Sequence, residues 1–186
     1  MSVGILAVQG AFIEHAHCLE QLSQDYVLLR KKSDIPKNLE RLILTGGEST
    51  VQRKLLHELD LFSVLRNKIL EDMPVFGTCA GLILLAEQIA EESTDGFQSL
   101  PVLVRRNAYG RQLGSFSTKG TVGEISDFPM RFIRAPYIEK ILHPDVQILN
   151  LTDQHITAVK YKNQIGTAFH PELTDDLRIH KLFLAL

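Results

Sequence analysis

The chain lacks most of what would suit a secreted scaffold, a membrane span or a nucleic-acid surface. Only two of its 186 residues are cysteine, Cys18 and Cys79. They lie far apart with no repeated spacing, which argues against a disulfide framework and suits free thiols in a reducing compartment. No apolar run approaches the roughly 20 residues needed to cross a bilayer. The opening Met1-Ser2-Val3-Gly4-Ile5-Leu6-Ala7-Val8 has no basic start, and Gln9, Glu14 and His15 interrupt it before a signal-peptide core could form. A basic excess is missing too: the formal net charge of -2 argues against a nucleic-acid binder. Repeats, low-complexity tracts and linkers are absent, so residues 1–186 read as one domain, expected in the cytoplasm.

What is present alternates. Val3 to Val8 reads as a buried strand, because an unbroken apolar run suits a sheet covered on both faces. Ile13, Ala16, Leu19 and Leu22 then recur at helical spacing. Tyr26–Leu29 and Leu42–Leu44 are the next expected strands, and Thr50–Leu70 is helical with a break near Asp60. Pro74–Gly77 is a fourth strand, followed by a helical run from Leu82 to Ala90. This order predicts an α/β fold, a three-layer sandwich around a mostly parallel central sheet. The second half adds strands over Val102–Arg105, Met130–Ile133, Val146–Leu151, Ile156–Lys160 and Gln164–Ala168 with few helices between them. Thr174–Leu186 is expected to close the chain as a helix with Thr174 as its N-cap.

The most informative segment is Phe76-Gly77-Thr78-Cys79-Ala80-Gly81-Leu82. Glycines two before and two after Cys79, between a strand and a helix, give the spacing of a nucleophile elbow with cysteine at its centre. The helix N-terminus there favours a thiolate, and the backbone N–H of Ala80 is free to bind a developing oxyanion. The plainer reading of a lone cysteine is a small packed residue, and Cys18, in a helical stretch with no glycine near, takes that reading.

A cysteine nucleophile needs a general base that a third group orients. His15 and His17 lie two apart on a predicted helix and point to different faces, which argues against a shared metal. They, with His57, His143, His155 and His180, read as solvated or packed. His170 differs, because it follows an expected strand at the end where active sites of open α/β sheets collect. Pro171 biases His170 towards an extended conformation, and residues two apart on an extended chain point the same way, so Glu172 is expected to reach the imidazole.

Leu42 to Leu44 runs through Thr45 into Gly46-Gly47-Glu48-Ser49-Thr50, where adjacent glycines can turn backbone N–H groups inward. The Gly47 N–H is the expected second oxyanion donor beside Ala80; an ordinary turn with Ser49 or Thr50 capping the next helix is compatible with that role. Arg105-Arg106 and Ile133-Arg134 end apolar runs. Such arginines suit an amino-acid carboxylate, although from the residues alone a solvated surface role is favoured.

These segments, with Val8-Gln9-Gly10-Ala11, Arg106-Asn107-Ala108-Tyr109-Gly110-Arg111-Gln112 and Phe169-His170-Pro171-Glu172-Leu173-Thr174, occur in an order that resembles a known family. The chain is similar to the glutaminase subunits of two-protein pyridoxal 5′-phosphate synthases, which are class I (triad) glutamine amidotransferases with a flavodoxin-like fold. The resemblance implies hydrolysis of L-glutamine to glutamate and ammonia, with no metal or organic cofactor, and delivery of ammonia to a (β/α)8-barrel synthase partner. It implies Cys79 as nucleophile, His170 as base and Glu172 as its partner, with Gly46, Gly47, Glu48, Ser49, Arg106, Ile133 and Arg134 holding glutamine. Docking of the partner near Gln9-Gly10 would switch the glutaminase on. The sequence departs from the family pattern at Thr45, where proline is usual, at Arg105, and at Ser117-Thr118. A cysteine peptidase, an amidase for another small molecule, or a silent relative that only binds a partner are the other readings. The two arginines and the intact set of Cys79, His170 and Glu172 count against them.

Overall fold

Continuous apolar stretches become the interior strands of one large sheet. The computed structural model describes residues 2–93, 95–106 and 115–186. In chain order the first half contains β1 (Ser2–Leu6), α1 (Phe12–Gln21), β2 (Tyr26–Leu29), β3 (Leu39–Leu44), α2 (Ser49–Glu58), α3 (Phe62–Leu70), β4 (Val75–Thr78) and α4 (Ala80–Leu85). It continues with β5 (Ala86–Ile89), β6 (Leu100–Arg105), β7 (Ser115–Val122), β8 (Ile125–Ile133), β9 (Tyr137–Ile141), β10 (Gln147–Thr152), β11 (His155–Tyr161), β12 (Gln164–Thr167) and α5 (Arg178–Leu184).

Strands β2-β1-β3-β4-β12 lie side by side and parallel. The sheet continues through β11, β9, β6 and β5, where β11 pairs antiparallel with β12 and β9, and β9 with β6; β10 pairs with β11, and β7-β8 form a separate hairpin. Helices α1 and α5 meet on one face through His15 and His180, while α2 packs on α3 and α4. The result is the expected α/β sandwich around a mostly parallel sheet with added antiparallel strands. Val3, Ile5, Leu42, Phe76 and Ile165 are fully buried, as are Leu19, Leu56 and Phe183 from the covering helices. Each such side chain stabilises the fold by about 1.5–3 kcal/mol through burial. No helix among the described residues is long and apolar enough to cross a membrane.

The chain goes one way from β1 to β2 and the other way through β3, β4 and β12. Between β1 and β3 the strand order therefore reverses, and ligands of open α/β sheets bind outside the carboxyl ends at such a point. The segments after β1, β3, β4 and β12 all emerge at this edge.

Two expected helices differ. The run from Leu82 to Ala90 turns extended at Ala86, because Ala86–Ile89 pairs with β6 and the last carbonyls of α4 are taken from outside: Phe97 N–H donates to Leu84 O (2.7 Å) and Ser99 N–H to Leu85 O (3.0 Å). The closing helix begins at Arg178, not Thr174, and its N-cap position is Leu177. The Thr174 hydroxyl instead donates to Pro171 O (2.8 Å), closing the turn after the last strand. Strands β7 and β9 were not expected. β7 alternates exposed polar positions with half-buried ones and β9 sets exposed Glu139 beside exposed Lys140, patterns that a short window does not separate from loop.

Candidate active site

Cys79 stands between β4 and α4 with φ 48° and ψ -98°, the strained conformation expected of an elbow nucleophile. The flanking glycines are required by close approach. A Cβ on Gly77 would lie 2.7 Å from Gly81 C, and one on Gly81 would overlap the Leu44 carbonyl. The Cys79 N–H donates to Thr167 O (2.7 Å), which ties the elbow to β12 and so to the strand that leads to His170. Ala80 opens α4, so its N–H has no carbonyl within the helix.

His170 and Glu172 are both buried, and His170 Nδ1 lies 2.7 Å from Glu172 Oε1. The carboxylate arrives by a different path from the extended chain expected. Residues Pro171–Leu173 form a 3-10 turn, and Leu173 N–H donates to His170 O (3.3 Å). The backbone of His170 is held in turn by the Arg131 carbonyl of β8, which accepts its N–H at 2.8 Å.

With Nδ1 turned to Glu172, Nε2 is the nitrogen left to act on Cys79, which is near enough to help raise the ring's pKa. Burial by itself would lower His170, yet hydrogen bonds to Cys79 and Glu172 and their negative charge raise it from 6.5 to about 10. The imidazole is thus held protonated between two acidic groups. That arrangement places a proton donor beside the sulfur.

Three buried histidines act on stability with opposite signs. His170 binds its proton more tightly folded than unfolded, so its contribution is full below 6.5 and is lost as pH rises towards about 10. Burial pushes His180 down from 6.5 to about 4, so its contribution is full above 6.5 and is lost as pH falls through about 4. His15 is lowered by burial first and then by His180 and His170, and acts in the same direction as His180. Urea midpoints measured across this range are expected to peak between the two limbs, and His180→Asn to flatten the acid limb. A midpoint that climbs steadily on acidification would contradict this assignment.

Gly46 is buried against the His170 ring: a Cβ there would overlap Cε1 and sit 2.8 Å from Nδ1. Gly47 and Glu48 are exposed beside it, and Ser49 is buried at the start of α2. Neither Ser49 nor Thr50 caps that helix, whose N-cap position is Glu48 with no side-chain bond. The loop is instead clamped by the β1–α1 connection. Gln9 Oε1 accepts from Glu48 N–H (2.9 Å), Gln9 O accepts from Gln52 Nε2 (2.9 Å), and Gly46 O accepts from Ala11 N–H (3.0 Å). Gly46→Ala is expected to push the imidazole off its line to the sulfur and to lower turnover about 100-fold, the usual scale for a 1 Å misplacement. A steady-state assay on folded protein checks it.

Gly47, Glu48, Ser49, Cys79, Ile83, Arg106, Ile133 and Arg134 line a cavity of about 50 Å³. Arg134 Nη2 lies 3.3 Å from Glu48 Oε1, and Arg106 Nη1 lies 2.9 Å from Glu92 Oε2 and 3.2 Å from Thr50 Oγ1. Every site residue read from the sequence within the described residues therefore meets here or directly behind it. Asn107, Ala108, Tyr109, Gly110, Arg111 and Gln112 lie outside the described residues.

Residues 5–186 match the model of the SNO glutamine amidotransferase family. The chain belongs to this family. The pyridoxal 5′-phosphate synthase subunit PdxT of Desulfitobacterium hafniense (strain DSM 10664 / DCB-2) is 56% identical over 184 residues, covering 99% of this chain and 92% of that one. The protein of the same name from Bifidobacterium longum (strain NCC 2705) is 49% identical, covering 98% and 99%. Among solved structures, a crystal structure of a glutamine amidotransferase superposes with a TM-score of 0.92 at 37% identity, covering 98% of this chain and 97% of that one. PurLQS from Thermotoga maritima, at TM-score 0.64 and 15% identity, shares the fold.

As an SNO family glutamine amidotransferase, the chain accommodates its departures from the family pattern locally. The buried Thr45 hydroxyl lies 3.3 Å from both Leu6 O and Gln9 O, joining the glycine loop to the end of β1. Arg105 pairs with Glu91 (2.9 Å) and Glu139 (2.5 Å), away from the sulfur. Sequence reasoning missed three features of this family member: the Arg131 carbonyl, the Gln9 clamp, and His15, whose Nε2 lies 3.6 Å from Glu172 Oε2. The carbonyl is a backbone contact, and the clamp joins the Gln9 and Gln52 side chains to backbone of distant segments, so neither is set by neighbouring residues.

Proposed function

We propose that the chain is a single-domain, cytoplasmic glutaminase that supplies ammonia to a pyridoxal 5′-phosphate synthase. The carrying observation is that His170 Nδ1 lies 2.7 Å from Glu172 Oε1, with Cys79 close enough to help raise the imidazole's pKa and itself lining a cavity rimmed by two arginines. In this reading the α-carboxylate of L-glutamine binds Arg106 and Arg134, displacing Glu92 and Glu48 from surface ion pairs that are individually weak. Glu48 is then free for the α-ammonium, with Gly46, Gly47, Ser49 and Ile133 shaping the pocket. The cavity is small, about 50 Å³, and in this reading substrate enters as those ion pairs part.

The Cys79 sulfur attacks the side-chain amide carbon, and the oxyanion is held by the N–H groups of Ala80 and Gly47. As the C–N bond breaks, His170 Nε2 delivers its proton to the departing ammonia, leaving a glutamyl thioester. The now neutral ring takes a proton from water, whose oxygen attacks the thioester and releases glutamate. Glu172 stabilises the imidazolium on both sides of the cycle.

The partner is a (β/α)8-barrel synthase subunit that docks near Gln9-Gly10 and stimulates the glutaminase through the clamp on the glycine loop. The test is co-purification with the host's candidate synthase, followed by glutamate release with and without it. A stable complex that raises release is the expected result. Release that is unchanged by the synthase, or activity on other amides but not glutamine, would overturn this reading.

A further inference from the structure

The Glu172 side chain is wholly buried, and only one of its two oxygens is satisfied: Oε2 has no hydrogen-bond partner among the described residues. A buried carboxylate oxygen left bare bears a full desolvation penalty, so what faces it matters. His15 of α1 faces it. Its Nε2 lies 3.6 Å from Oε2 and 3.2 Å from the hydroxyl of Thr78, the residue before the elbow cysteine. Behind it, His15 Nδ1 lies 3.1 Å from His180 Nε2 of α5, and both rings are completely buried.

The ring tautomers can be assigned by elimination. If His15 carried its proton on Nδ1, its Nε2 lone pair would face a carboxylate. His180 would then accept at Nε2 and carry an N–H at Nδ1, where no partner exists among the described residues. The opposite assignment leaves only an acceptor nitrogen bare, which costs less than an orphaned donor. We propose that His180 and His15 form a neutral donor chain, His180 Nε2–H to His15 Nδ1 and His15 Nε2–H to Glu172 Oε2, that positions the carboxylate behind His170. The gap of 3.6 Å is longer than a hydrogen bond, and in the proposed chain it closes as the reacting complex forms. Thr78 Oγ1 shares the same N–H, so the chain links the turn bearing Glu172 to the strand bearing Cys79. Burial holds both rings in the neutral state this requires.

His15 and His180 are positioning residues: they act through Glu172 and touch no substrate. The inference rests on the triad reading above, and the test separates the two. In the full chain with its synthase, His15→Leu is expected to lower kcat about 10- to 100-fold with KM for glutamine unchanged within about twofold. His15→Gln, whose amide places a donor near the Nε2 position, is expected to recover most of that loss. Equal loss in both variants, or no loss in His15→Leu, overturns the proposal. Cys79→Ala run beside them decides the parent reading: an active Cys79→Ala sinks the triad, whereas an inactive one beside a fully active His15→Leu sinks only the donor chain. Nitrogen-15 NMR of histidine-labelled wild-type chain needs no variant to fold. Both rings are expected as neutral Nε2–H tautomers near neutral pH, and an Nδ1–H form of either ring overturns the assignment.

Discussion

Cys79→Ala is expected to abolish glutamate release, by a factor of at least about 10⁴, while leaving the fold intact. The loss is large because, in the proposed mechanism, the sulfur lining the cavity forms the covalent intermediate. His170 and the oxyanion donors would remain and could still polarise a bound amide, which sets the residual rate. Stability should change little. The side chain is small and nearly buried, alanine meets the same backbone strain at φ 48°, and the N–H bond to Thr167 O is retained. Removing the thiol also removes one of the two groups that keep His170 protonated, so the ring should titrate lower in the variant. A coupled assay for glutamate, together with a thermal melt and an NMR titration of His170, checks all three consequences. Full activity in a folded Cys79→Ala protein would eliminate the nucleophile.

The residues that could be read from the sequence are those whose geometry is set within a few positions. Five consecutive residues, Gly77 to Gly81, encode the elbow by their spacing; Gly77 answers a contact inside that turn, with Gly81, whereas Gly81 answers the Leu44 carbonyl of β3. His170 and Glu172 are likewise two positions apart, although the chain joins them by a 3-10 turn rather than an extended segment. The parallel strands β1, β2 and β3 were legible because each contains an unbroken apolar run, Val3–Leu6, Tyr26–Leu29 and Leu42–Leu44. The helix expected to Ala90 was not: residues 86–89 carry helical apolar spacing, and only pairing with β6 makes them a strand. Tertiary pairing outweighed local preference there. His15 and His180 mark the limit of such reasoning. They are 165 positions apart in sequence, and each alone reads as a packed histidine. Nothing local says that the two rings meet behind the acid.

Glu172→Gln isolates the charge of that acid from its shape. The amide is close to isosteric, so the buried turn should survive, yet it cannot replace two acceptor oxygens. If its oxygen faces His170 Nδ1, its NH2 group meets the N–H of His15; if the amide flips, its NH2 faces His170 and the ring must carry its proton on Nε2 as a neutral tautomer. In either orientation the negative charge that helps hold His170 protonated is gone, and its pKa should fall from about 10 towards 6.5. Turnover is expected to drop about 10³- to 10⁴-fold, the scale seen when the orienting acid of a catalytic triad is made an amide, with little change in KM. Labelling of Cys79 by a glutamine-like electrophile should slow in parallel, because the imidazole beside the sulfur is no longer held as a proton donor. A Glu172→Gln protein that turned over normally, with His170 still titrating near 10, would show that the carboxylate only packs. The donor chain behind it would then have nothing to position.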